Sequence, residues 1–258
     1  MTLNDWVNNP AGKNSAVMTN RQMYRDLYTS KFNKVMLREG NKFTYKCYKS
    51  KSGAQFVLYI KVPSEVIPKF YYDVVISFET KNPAMVNNPS LSQYDVQFYT
   101  NSPDFVFTHC HAYNKADLFF KPLAKKMSKL SLTQKAVERN PNDEVGYVKS
   151  IFFAYCIIKS RGLLQKLNYT DPYIEKNLVN EIRHADDVVA ARQEAEAKMK
   201  AEARRAKRLE DAQTRERNGS INRSLKGKPS STAIKTTPNI RTTKTAKRSP
   251  YSKTSKRI

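Results

Sequence analysis

The chain has 258 residues, with 46 Lys+Arg against 23 Asp+Glu, a formal net charge of +23, and 40% hydrophobic and 11% aromatic side chains. That length suits one medium domain with appendages, or two small ones, and a chain this apolar can build a real core, so disorder throughout is excluded. The longest apolar run, Ile151 to Ile158, is too short to cross a bilayer, which takes roughly 20 residues. Met1-Thr2-Leu3-Asn4-Asp5-Trp6 lacks the basic and apolar regions of a signal peptide, so neither membrane insertion nor signal-directed secretion is expected. Three cysteines, Cys47, Cys110 and Cys156, cannot make a disulfide framework and point to a reducing compartment.

Residues 1–18 are Asn-rich and read as an irregular segment, with Trp6 either an anchor onto the body or a partner contact. Residues 19–170 read as a globular body. Thr19-Asn20-Arg21-Gln22 is a capping box, Tyr24, Leu27, Tyr28, Phe32, Val35 and Met36 follow the helical period, and Gly40 supplies the stop. The period then switches to two, giving strands around 43–48, 55–62, 72–78, 94–98 and 105–107. The last two flank Thr100-Asn101-Ser102-Pro103-Asp104 as a hairpin, and the whole predicts a mostly antiparallel sheet of about five strands. Helices follow: a short one capped by Asn114 and interrupted at Pro122, one opened by the box Ser131-Leu132-Thr133-Gln134, and an apolar, buried one running from Asn140-Pro141-Asn142-Asp143 to Gly162. Helix, strands, then helices define an α+β class.

Beyond the body, the charge divides unevenly. Residues 1–170 carry a net +12, and residues 171–217 hold 11 basic and 11 acidic side chains. Asp171-Pro172 reads as a helix start, and the Ala-, Glu-, Lys- and Arg-rich stretch that follows reads as one long charged arm to Arg217. Glu194–Lys198, Glu196–Lys200 and Asp211–Arg215 are spaced for i,i+4 pairing, while the apolar stripe is too thin for a coiled coil. Residues 218–258 hold 11 basic residues, no acidic one and 14 Ser+Thr. So polar a segment cannot offset about 1–2 kcal/mol per residue of backbone ordering, and it reads as a disordered basic tail.

That tail is the strongest functional signal. Lys226, Lys228, Lys235, Arg241, Lys244, Lys247, Arg248, Lys253, Lys256 and Arg257 are interleaved with hydroxyls, a composition that binds polyanions through counterion release without reading sequence. A second basic patch, Lys121, Lys125, Lys126 and Lys129, forms one cationic face if the chain is helical beyond Pro122, and is otherwise a solvated surface. Chemistry is harder to find. No Walker loop, Rossmann glycine pattern, C-x-x-C pair, H-E-x-x-H or G-x-S-x-G occurs, and 7 glycines leave little for cradling phosphates. His109-Cys110-His111 places two histidines on one face of a strand, as a metal pair or as buried or rim histidines. Gly53, Phe56, Val57 and Tyr59 echo an RNA-recognition strand, but the order of elements does not. No cofactor, metal site or catalytic residue is assigned.

The Asn-, Tyr- and Lys-rich, Gly-poor body, with segments such as Tyr94-Asp-Val-Gln-Phe-Tyr-Thr-Asn-Ser-Pro-Asp104, resembles virion and assembly proteins of tailed bacteriophages of low-GC hosts. The resemblance covers roughly residues 1–170 and carries over no functional residue. It implies a non-enzymatic virion component, assembled in the host cytoplasm, whose body and arm dock on other virion or assembly proteins and whose tail reaches DNA or an acidic partner surface. Two other classes stand beside it: a cellular nucleic-acid-binding protein, for which Lys244–Arg248 before Pro250 also reads as a nuclear address, and an enzyme with a site around His109 and His111.

Overall fold

The structure, a computed structural model, describes residues 1–9 and 21–226. A first compact unit spans Met1–Ala203 and a second begins at Arg204. The chain opens with α1 (Leu3–Asn8), which corrects the expected irregularity over residues 1–9. The Thr2 hydroxyl accepts the Asp5 N–H at 3.1 Å and the Asp5 carboxylate accepts the Thr2 N–H at 2.9 Å. This reciprocal box pays for two orphan amides. It turns Leu3, Trp6 and Val7 onto the body, so Trp6 is an anchor. The next helix, α2 (Arg21–Arg38), buries Phe32, Val35 and Met36. Thr19 and Asn20 of its expected start lie outside the described residues. The chain leaves α2 through Gly40 at φ 63° and Asn41 at φ 56°, the left-handed region that stops helices.

Strands β1 (Thr44–Lys49), β2 (Gln55–Pro63), β3 (Tyr71–Glu79) and β4 (Asp95–Thr100) form an antiparallel meander. With the two-residue β5 (Asp171–Pro172), parallel to β1, the sheet order is β4-β3-β2-β1-β5. The class is α+β with a mostly antiparallel five-stranded sheet. The fifth strand, however, comes from Asp171-Pro172, expected as a helix start, and not from Phe105 and Phe107. Tyr173 N–H donates to the Lys49 carbonyl, so the chain here extends the sheet edge before any helix begins.

Side chains alternate across a strand, so Phe56, Leu58, Ile76 and Phe98 share one face while Tyr59, Asp73, Val75 and Tyr99 share the other. Trp6 stacks obliquely on Phe98 (5.2 Å between centroids) and α5 (Lys149–Arg161, below) meets the first face where Ser150 and Thr100 share a hydrogen bond of 3.2 Å. The opposite face is covered where Glu181 accepts from Lys46 at 2.6 Å and from Tyr48 at 3.2 Å. Covering on both sides explains why β2 and β3 are almost continuously buried.

Between sheet and C-terminus the order of elements is helical, but several boundaries differ from expectation. After β4, residues 103–115 are helical: Pro103 occupies the first turn, Phe105–His109 form a π-helical stretch, and α3 (Cys110–Lys115) continues it. The hairpin strand expected at Phe105/Phe107 is thus a helix, with Phe105 buried and Phe107 exposed. Asn114, expected as a cap, sits inside α3 and donates to the Leu132 carbonyl. A 3-10 helix spans Lys121–Lys126, and α4 (Lys129–Thr133) is capped by Ser128, whose hydroxyl accepts the Ser131 N–H, so the expected 131–134 box lies at the end of a helix rather than its start.

The apolar helix α5 begins at Lys149, not near Asn140. Asn140 is instead a cross-brace: its amide donates to the Thr108 and Glu144 carbonyls and its Oδ1 accepts the Glu144 N–H, which holds residues 140–144 as a loop. α5 buries Ile151, Phe152, Phe153, Ile157 and Ile158, each worth about 1.5–3 kcal/mol over exposure, and ends at Gly162 with φ 64°.

The single arm expected over 171–217 is two helices, α6 (Glu175–Glu181) and α7 (Ala185–Lys226). Arg183 makes the break. Its N–H and Nε donate to Asp73 Oδ2 at 3.4 and 3.0 Å, and its Nη2 donates to the Tyr71 carbonyl. A residue bound this way to a strand cannot also continue a helix. Asp73 is fully buried and additionally accepts from Tyr59 Oη at 2.9 Å and Asn101 Nδ2 at 2.8 Å, so its charge is met on every side. α7 runs on past Arg217, through Gly219, to Lys226.

Candidate functional site

The cationic residues are placed separately. Lys121, Lys125 and Lys126 ride on the 3-10 helix, Met127 is extended, and Lys129 opens α4, so the four lysines do not share one helical face. Burial of Leu123 and Met127 pulls the chain inward between them. Lys121 is moreover paired with Asp117, four residues earlier, at 2.6 Å. In the tail, Lys226 is the last residue of α7; Lys228, Lys235, Arg241, Lys244, Lys247, Arg248, Lys253, Lys256 and Arg257 lie outside the described residues. The RNA-strand echo places Phe56, Val57 and Tyr59 on β2 at no more than 2% exposure, which leaves no ring face for a base.

The two histidines do not form a pair. In helical backbone, residues two apart face different directions, and His109 and His111 go to different neighbourhoods. His111 Nδ1 donates to Asp143 Oδ1 at 2.8 Å, and Lys115 Nζ stands 3.4 Å from Oδ2. Burial alone would raise the Asp143 carboxyl; the bonds from His111 and Lys115 outweigh it and hold it below the ordinary carboxylate value. Asp143 itself adopts φ 53°, a conformation that Asp tolerates better than most residues.

His109 is the more informative. It ends the π-helical stretch, a geometry that often marks functional sites. Its Nδ1 is buried with no hydrogen-bond partner among the described residues. Burial pushes its pKa down, against smaller opposing effects of Asp104 and the Glu144 backbone, so the ring is neutral near pH 7. Gly146 packs directly on it, and a Cβ at that position would lie 2.7 Å from His109 Cε1. One of only 7 glycines is therefore spent on close approach to an imidazole.

His109 and Gly146 line a cleft of about 250 Å³ together with Tyr24 and Tyr28 of α2, Asp104, Thr108, Arg139, Asn140, Glu144 and Tyr147. Tyr24 lies 6.1 Å from Tyr28 and 6.4 Å from Tyr147 between ring centroids, both tilted near 50°. The Tyr28 hydroxyl is pushed up by burial and by Asp104. Neither Asp104 nor Glu144 has an ion-pair partner among the described residues. A larger cleft of about 630 Å³ beside β4 is lined by Glu79, Asp95, Asp117, Asp143 and Glu144. Most of that acidity is already spent: Asp95 on the Met1 ammonium, Asp117 on Lys121, and Asp143 on His111 and Lys115.

Sequence reasoning read Tyr24 and Tyr28 only as helix core, and it had no route to Asp104, Glu144 and Tyr147 as their neighbours. Gly146 was the available signal, a glycine outside any turn pattern in a Gly-poor chain. Among the described residues no group of three or more His, Cys, Asp or Glu is placed to hold a metal ion, and no helix is long and apolar enough to cross a membrane. The chain matches no protein-family model, no curated protein and no solved structure.

Proposed function

We propose that the protein is a non-enzymatic structural or assembly component, of a tailed-phage virion, whose folded body docks on protein partners and whose basic C-terminal stretch contacts nucleic acid or an acidic partner surface. The observation that carries the reading is the charge distribution: 11 basic and no acidic residues over 218–258, following a stretch of balanced charge. The compositional resemblance of the body supplies the virion context. Such a stretch associates with phosphates by counterion release, so affinity for duplex DNA falls steeply with salt and is indifferent to sequence.

The test replaces the ten basic residues from Lys226 to Arg257 named above by Gln and measures binding to a random-sequence duplex across a salt series. The full chain is expected to lose on the order of 10³-fold or more in affinity between 50 and 200 mM salt if six or more phosphates are engaged. The neutralised chain should bind far more weakly and with a flatter salt dependence. Equal binding by both chains overturns the assignment to the tail. Recovery of the protein at fixed stoichiometry in purified particles tests the virion reading separately.

A further inference from the structure

We infer that the cleft between Tyr24, Tyr28, Asp104, His109, Glu144 and Tyr147 is a receptor for a guanidinium group, either an arginine side chain of a partner chain or a small free guanidinium compound. This goes beyond the polyanion contact proposed above, since it concerns an anionic, aromatic site on the body. Three kinds of lining group converge on that chemistry. Tyr24, Tyr28 and Tyr147 bring three electron-rich rings to one cleft, the environment that attracts cations. Asp104 and Glu144 are the acidic residues that line it, and neither has a lysine or arginine at ion-pair distance among the described residues. His109 borders the cleft with a buried Nδ1 that has no partner among the described residues, on a ring that burial keeps neutral and so able to accept a hydrogen bond once a ligand opens the way to it. Arg139, the only lysine or arginine of the lining among the described residues, is exposed.

A guanidinium fits this set better than an ammonium. It is planar and stacks on rings, and its five N–H donors match acceptors on several sides, whereas a lysine ammonium is a compact, strongly hydrated point charge. The cavity of about 250 Å³ admits the head group and part of its stem. Gly146 belongs to the same arrangement: any larger residue there would push the His109 ring from its place.

The experiment titrates the full chain with four probes, N-acetyl-arginine amide, N-acetyl-lysine amide, N-acetyl-citrulline amide and methylguanidinium, following the His109 Cε1–H and tyrosine ring resonances by NMR. The arginine probe is expected to shift these signals and to bind at least tenfold more tightly than citrulline, its neutral counterpart. Methylguanidinium binding as well as the arginine probe identifies a small guanidinium as the ligand; arginine binding more tightly identifies a side chain. Asp104→Asn and Tyr28→Leu should each weaken arginine binding about tenfold, while Tyr28→Phe, which keeps the ring, should retain it. Equal binding of arginine and citrulline, equal or tighter binding of lysine, or unshifted His109 and tyrosine signals overturns the inference. The wild-type comparison stands even if a variant fails to fold.

Discussion

The body and the C-terminal part of α7 hold their shape by opposite means. In the body, order comes from distance in sequence: Trp6 donates its indole N–H to Tyr113, Asp73 gathers donors from Tyr59, Asn101 and Arg183, and the sheet is covered on both faces. In α7, residues 197–218 are all exposed, and order comes from neighbours one turn away. Just before that stretch Arg192 pairs with Glu196 at 2.8 Å, whereas Glu194–Lys198, Glu196–Lys200 and Asp211–Arg215, spaced for the same contact, are not closed to ion-pair distance. Helix propensity of Ala, Glu, Lys and Arg therefore carries most of that segment. A region of the first kind fails as a unit when one buried residue is cut, and a region of the second kind fails only locally.

The largest effect should come from Trp6→Ala. Trp6 is fully buried between Phe98 and Tyr147, so truncation leaves a large cavity at a cost of about 3–5 kcal/mol. Tyr113 keeps a partner, since its hydroxyl donates to the Gly146 carbonyl at 2.8 Å, and the loss is one of packing more than of hydrogen bonding. Urea unfolding of the full chain should show a lower midpoint with an unchanged slope; a loss under about 1 kcal/mol would mean that α1 is not part of the cooperative body. Arg183→Met comes next. A hydrogen bond to a charged partner is worth about 1.5–3 kcal/mol, and the half-exposed guanidinium loses part of that to solvent, so about 1–2 kcal/mol is expected. Asp73 remains met by Tyr59 and Asn101. Hydrogen exchange should quicken over residues 175–190 more than elsewhere, and uniform quickening would argue that Arg183 is no local brace.

What the sequence disclosed follows the same division. Periodicity found β1 to β4, α2 and α5 because each buries one repeating set of side chains against the rest of the chain. It misread Phe105 and Phe107, where two aromatic residues two apart fit strand and helix equally and Pro103 decided for a helix. It missed β5 and the break at Arg183, because both are set by partners, Lys49 and Asp73, more than a hundred residues away. The cleft around His109 was unreadable for the same reason. Its lining residues come from α2, the π-helical stretch and the 139–147 loop, and no local pattern joins them. Charge, by contrast, needs no fold to be counted, so the division into a basic body, a balanced stretch and an acid-free end could be made from composition alone.

The smallest effect on the body should come from the change that most damages α7. Proline at Ala206 removes the amide that bonds to the carbonyl of residue 202 and sets its ring against that carbonyl, at a cost of about 3 kcal/mol to the helix. Residues 201–218 are exposed along their whole length, so no buried apolar contact is lost with it. Ellipticity at 222 nm should fall, and hydrogen exchange should quicken over residues 200–215. The urea midpoint of the body should hold to within about 0.5 kcal/mol, as for surface substitutions generally. A drop of 1 kcal/mol or more would show that the helix draws its stability from the body after all, and the contrast between long-range and local order would then have to be redrawn at a residue later than Ala203.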